Sequence, residues 1–172
     1  MKTTTSAADP QALHKLQDLV RDIDIAMLTT VSIEGSLRSR PMATRDFDDD
    51  GVMCFICSDQ SEMAADLAAE PGVNVSYADP KKLRFVSVTG NASVLHDREI
   101  ARKLWTPSLK TYFPNGIDDP HLAVIEVRIE IAEYWDSPSG KMQRLFSSKP
   151  PSEDGEESEH TRVAIRAARA SG

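Results

Sequence analysis

From Leu122 to Ile131 apolar and charged side chains change places at almost every step: Ala123, Ile125, Val127, Ile129 and Ile131 face away from Glu126, Arg128 and Glu130. A period of two belongs to a strand with one face in a core and the other in water. A helix would scatter those isoleucines around its circumference. Comparable segments recur along the chain. Residues 24–33 and 36–45 flank Glu34-Gly35 and read as a hairpin, and Asp49-Asp50-Gly51 turns into a strand over 52–57. Strand signals return at 73–78 and 84–95, Glu133-Tyr134-Trp135-Asp136 begins another strand, and 140–146 is a candidate for the last. Three helices interrupt them. Asp9-Pro10 opens one whose apolar stripe is Leu13, Leu16, Val20 and Ile23. Asp59 and Glu62 start a second over 60–69 that ends at Pro71-Gly72, and 97–105 is a short third. Many antiparallel strands with a few small helices predict a mainly β chain, closed or partly closed into a barrel.

At 172 residues the chain suits one domain with its own core. Residues 10–149 carry the patterned sequence, and 1–9 read as a flexible N-terminus. Beyond Lys149, five acids fall between Glu153 and Glu159, so 150–172 are expected to be a disordered or weakly helical acidic tail. The net charge of −7 includes no basic half, which excludes a nucleic-acid binder that works by phosphate neutralisation. No stretch reaches membrane-spanning length and Met1 to Ser6 lack an apolar signal core, so the expectation is a soluble, cytoplasmic protein.

Cys54 and Cys57 are spaced as a redox pair or half a zinc site would be. Their context, Val52-Met53-Cys54-Phe55-Ile56-Cys57, is a buried strand, in which the two thiols point to opposite faces. A low-pKa thiol needs a helix N-terminus or a cation instead. No second cysteine pair or histidine cluster completes a metal site, and none is expected.

Arg38-Ser39-Arg40-Pro41-Met42 places two guanidinium groups on one strand face and a hydroxyl on the other. Arginine forks match phosphate oxygens, while a solvated basic edge that discourages strand pairing is the plainer alternative. Ser58, Ser61 and the amides that open the 60–69 helix form a second anion-friendly feature, with ordinary helix capping by Ser58 or Asp59 as the alternative. A short connection between the two strands puts this helix start beside the arginines. Half of the ten aromatics, Trp105, Tyr112, Phe113, Tyr134 and Trp135, lie between 105 and 135 and offer walls for a ring system or ordinary core packing. His96 and His121 sit beside strand ends with no catalytic arrangement around them.

These motifs, taken together and in order, resemble a known family. Phe55-Ile56-Cys57-Ser58-Asp59-Gln60-Ser61, Pro71-Gly72-Val73-Asn74-Val75, Val86 to Ala92, Trp105-Thr106-Pro107, Tyr112 to Gly116 and Glu133 to Pro138 are similar to the FMN-binding split-barrel proteins related to pyridoxamine 5'-phosphate oxidase, in the general stress protein 26-like branch. The resemblance covers roughly residues 10–147. It implies a six-stranded antiparallel barrel of Greek-key type and a homodimer with flavin sites at the subunit interface. Arg38, Ser39, Arg40 and Pro41 would border the flavin and its phosphate. Cys57, Ser58 and Ser61 would line the ribityl-phosphate side. Trp135 of a second copy would wall the ring, with Trp105 a second candidate. The branch commonly carries lysine where this chain has Met63, and a lost charge-assisted contact costs about 1.5–3 kcal/mol. FMN binding weaker than in lysine-bearing relatives is therefore expected, and a site open at that end admits FAD. The implied role is a stress-related oxidoreductase of unknown substrate. A carrier or sensor without turnover is the alternative, and pyridoxamine 5'-phosphate oxidase activity fits less well because a second cationic cluster is missing.

Overall fold

The computed structural model describes residues 3–7, 10–136 and 159–166. In chain order the strands are β1 (Thr3–Ala7), β2 (Ile25–Val31), β3 (Leu37–Ala43), β4 (Asp46–Phe47), β5 (Val52–Ser58), β6 (Gly72–Asp79), β7 (Arg84–Leu95), β8 (Leu122–Asp136) and β9 (Glu159–Arg166). The helices are α1 (Pro10–Val20), α2 (Glu62–Ala69) and α3 (Arg98–Leu104), with 3-10 turns at Pro107–Thr111 and Gly116–Asp118.

Hydrogen bonding runs β3-β2-β6-β7-β8, and β8 then pairs with β5 through its first half and with β9 through its second. The chain leaves β3, crosses Thr44 and Arg45, and enters β4, which pairs with β5; Arg45 N–H donates to the Cys54 carbonyl at 2.8 Å. A circuit through β2, β3, β4, β5, β8, β7 and β6 thus returns to its start. It is hydrogen-bonded everywhere except where β3 and β5 part from each other. The architecture is a split barrel, and that parting is the split.

Seven strands rather than the expected six lie between residues 25 and 136. The break at Thr44-Arg45 makes two strands of the predicted 36–45 segment and its continuation. Residues 133–136 do not start a separate strand, because β8 runs unbroken for 15 residues. The termini also depart from expectation. Residues 3–7 are a strand rather than flexible chain, and Glu159–Arg166 is a strand rather than disordered or helical tail. β9 pairs antiparallel with β8 and parallel with β1. Thr161, Val163 and Ile165 are β-branched at every second position, a strand signal that the neighbouring alanines and arginines obscured. The 140–146 candidate lies outside the described residues.

Leu28, Phe55, Val75, Val88 and Ile125 fill the barrel, and Leu13, Leu16 and Leu19 of α1 join the same core. Phe55 is fully buried, and truncating such a ring to alanine costs about 3–5 kcal/mol. β5 is buried on both faces, which is why its sequence is apolar without alternation. Its odd-numbered residues enter the barrel. Val52, Cys54 and Ile56 face a second cluster with Ala101, Leu104, Leu109 and Phe113. One bulge re-aims β8: the register slips between Thr89 and Gly90, where a side chain would meet the Arg128 carbonyl oxygen at 2.2 Å. Ile131 consequently leaves the inward row that the alternation predicted, and Ala132 and Tyr134 become the buried residues.

Candidate functional site

The split opens into a cleft of about 680 Å³. One wall is β3, with Pro41, Met42 and Ala43; the other is the end of β5, with Ile56, Cys57 and Ser58. Ser61 and Met63 of the α2 start lie at one end. Leu109, Tyr112 and Phe113 form an apolar side, joined by the hydroxyls of Ser108 and Thr111, and Ile25 and Arg45 complete the lining. Tyr112 is 77% exposed, so its ring stands at the mouth, while Phe113 is anchored in the second cluster.

Of the residues singled out in the sequence, Pro41, Met42, Cys57, Ser58, Ser61, Met63, Tyr112 and Phe113 meet here. Ser61 caps α2: its hydroxyl donates to the Ser58 carbonyl at 2.6 Å and accepts from Ala64 N–H at 3.2 Å. Ser58 Oγ accepts from Gln60 N–H at 3.2 Å. These bonds fix the turn between β5 and α2, so both hydroxyls are held at the cleft end. Met63 is buried in the barrel core as well as bordering the cleft.

The arginine strand does approach the α2 start, as expected, but its guanidinium groups meet carboxylates there. Arg38 Nη1 donates to Glu62 Oε2 at 3.0 Å. Arg40 donates to Thr30 Oγ1 at 2.9 Å and to Asp66 Oδ2 at 3.1 Å, and Thr30 itself donates to Asp66. Asp66 and Thr30 are almost wholly buried, so this triad ties β2 and β3 to α2 inside the fold. None of Arg38, Ser39 and Arg40 lines the cleft. Ser39, on the opposite face, shares a 2.7 Å hydrogen bond with Thr29. Trp105 packs beside the second cluster, and Trp135 stands opposite Phe85 on β7; neither lines the cleft.

Arg45, Ile25, Ala43, Leu109, Ser108 and Thr111 were not among the sequence candidates. The parting of β3 from β5, together with the 3-10 turn at Pro107–Thr111, brings them to one cleft, and no motif marks them. Burial pushes the Cys57 thiol up to about 12, with Asp59 adding to the effect, and burial pushes Cys54 up to about 12 as well. Both therefore stay protonated near neutrality, which supports their reading as core-strand residues. His96 and His121 converge on Asp59 at 2.9 and 3.0 Å. The His96 bond, followed by weaker ones from Gln60 and His121, holds the Asp59 carboxyl below its usual value. Among the described residues no group of three or more His, Cys, Asp or Glu is arranged to hold a metal, and no helix is long and apolar enough to cross a membrane.

A split barrel with a cleft in its seam defines a class of fold, and comparison with known proteins gives the family. Residues 11–158 match the pyridoxamine 5'-phosphate oxidase-like family, so the chain belongs to it. It is 30% identical over 134 residues to protein bli-3 of Neurospora crassa, covering 72% of this chain and 64% of that protein. A Clostridium acetobutylicum protein related to general stress protein 26 of B. subtilis superimposes with a TM-score of 0.65 at 24% identity, over 76% of this chain and 92% of that one. The general stress FMN/FAD binding protein of Xanthomonas citri does so at 0.64 and 22%, over 82% and 97%. At these identities the two structures establish the fold.

Proposed function

We propose that the seam cleft binds a flavin, FMN in the first instance with FAD as the alternative, and that the protein acts as an oxidoreductase in a homodimer. The observation that carries this reading is the composition of the cleft in a chain of this family: apolar side chains line most of it, and hydroxyls are fixed at one end. Such a lining suits a ring system with a polar tail. Pro41, Tyr112 and Phe113 would wall the ring, and Ser58 and Ser61 would take the ribityl-phosphate end. Arg38 would join them if it left Glu62. The flavin would supply electron transfer, and the protein would supply position and electrostatics. Among the described residues no histidine, lysine or carboxylate side chain lines the cleft, which also supports a carrier or sensor role.

The proposed dimer rests on the outer face of the sheet. Ile25 and Met27 of β2 and Leu37 and Pro41 of β3 share that face, and the first three are large exposed apolar side chains. Ile25 and Pro41 also border the cleft, so a second copy on this face would stand against its edge; that the Trp135 of this copy walls the ring is what the family resemblance implies.

Titration of the apo-protein with FMN, FAD and riboflavin, followed by flavin fluorescence, tests the reading. Saturable quenching by FMN, stronger than by riboflavin, is expected, together with a dimeric mass in light scattering. Absence of binding by all three flavins would refute it. NAD(P)H consumption by the loaded protein above that of free flavin would separate an enzyme from a carrier.

A further inference from the structure

A phenolic hydroxyl is buried in the apolar barrel. Tyr77 of β6 is 2% exposed and packs in the core with Leu28, Phe55 and Val75. Phenylalanine would fill nearly the same volume without a polar atom that costs free energy to bury. The Tyr77 oxygen shares a 2.7 Å hydrogen bond with Thr44 Oγ1 and lies 3.7 Å from Met53 Sδ. Burial pushes the phenol up to about 12, so it keeps its proton throughout the neutral range. Thr44 and Arg45 are the two residues between β3 and β4, where the seam opens. β2 lies between β3 and β6 in the sheet, so the Tyr77 ring crosses the barrel interior to reach Thr44. Ala26, next along β2 from the Met27–Ser76 pair, is buried and presents no bulk in that path. Arg45 is tied the other way, its N–H donating to the Cys54 carbonyl on β5 at 2.8 Å. Consecutive residues are thus held by different strands. Ala43 and Arg45 line the cleft, and Thr44 between them does not.

We propose that Tyr77 is a positioning residue for the seam cleft: through Thr44 it fixes where the β3 wall stands relative to β5, and so sets the width open to a planar ring. A hydrogen bond between two hydroxyls has a preferred direction, whereas an apolar contact of the same shape does not. Held by Tyr77 on one side and Cys54 on the other, the 44–45 link neither closes onto β5 nor swings away from it. Tyr77 does not line the cleft itself. It acts on Met42, Ala43 and Arg45 through the backbone they share with Thr44. The inference rests on the seam cleft being a ligand site, and its first readout needs no ligand.

The double variant Thr44→Val, Tyr77→Phe removes both hydroxyls and nearly keeps both shapes. Its melting temperature should stay within about 3 °C of the parent, and amide exchange in the β7–β8 ladder within about threefold. The Arg45 amide should nevertheless exchange about tenfold faster or more, because the link has lost one of its two ties. FMN and riboflavin, titrated by fluorescence, should both weaken about fivefold or more, since the walls change and the phosphate end does not. Val88→Ala loosens the barrel away from the link and should leave both affinities within about twofold. An Arg45 amide as protected as in the parent would overturn the proposal. So would parental affinity for both flavins, weakening of FMN alone, or equal weakening by Val88→Ala, which would make Tyr77 merely structural. Should the double variant unfold, Tyr77→Phe alone is read in the same way against Val88→Ala. Should no flavin bind the unmodified protein, the flavin reading fails and the exchange of Arg45 still decides Tyr77.

Discussion

The two ends of the β3 arginine segment solve opposite problems with the same side chain. Arg38 and Arg40 run into the carboxylates of α2, and Arg40, with Asp66 and Thr30, is part of what holds that helix on the barrel. Arg45, past the strand end, pairs with no carboxylate among the described residues and lines the cleft. A guanidinium is thus structural at one end and available at the other, and the difference lies in what α2 presents. Spacing within a strand says that arginines share a face. It does not say whether an acid from elsewhere has already neutralised them.

The largest expected effect comes from breaking the structural end. Asp66 is 4% exposed, and Asp66→Ala removes the carboxylate that accepts from both Arg40 and the buried Thr30 hydroxyl. Because Arg40 retains some access to water, a loss of about 2–3 kcal/mol is expected, less than for a fully enclosed pair. Thermal denaturation should show it as a fall of about 6–10 °C. The triple change Thr30→Val, Arg40→Met, Asp66→Leu removes every member of the network and should recover most of that loss. A stability change in Asp66→Ala below about 0.5 kcal/mol would mean that the triad contributes nothing to holding α2.

Met63 marks the boundary between the two roles, since it is packed in the core and borders the cleft. Met63→Lys keeps an unbranched stem and can deliver an ammonium to the Ser61 end. Stability should fall by about 1–2 kcal/mol for the buried charge, while FMN binding should gain about tenfold over riboflavin. An unchanged ratio of the two flavins would place the new ammonium away from the phosphate end.

How far the sequence foretold this depends on the range of the signal. The β2–β3 hairpin, the doubly buried β5 and the alternation of β8 are local patterns, each complete within about a dozen residues, and each is present. The two cysteines on opposite faces of β5 follow from equally local geometry, whereas α2 starts at Glu62 with Ser61 as its cap, not at 60 with Asp59. The Arg40–Asp66 bond spans 26 residues and joins a strand to a helix, so nothing in either segment announced it. Arg45 escaped notice because it lies in a link rather than in a patterned element, beside a run of aspartates that made the region look acidic. The outward turn of Ile131 depends on Gly90, a residue of another strand.

The smallest expected effect is the sharpest test of the difference between the two ends. Glu62 is exposed, and its bond to the half-exposed Arg38 is a surface pair worth less than about 1 kcal/mol. Glu62→Gln should therefore leave the melting temperature within about 2 °C of the parent. What it changes is the charge next to the α2 start. With the carboxylate gone, Arg38 is free to turn toward Ser58 and Ser61, and FMN affinity should rise about threefold while riboflavin affinity stays constant. If Glu62→Gln leaves FMN binding unchanged, Arg38 is as structural as Arg40.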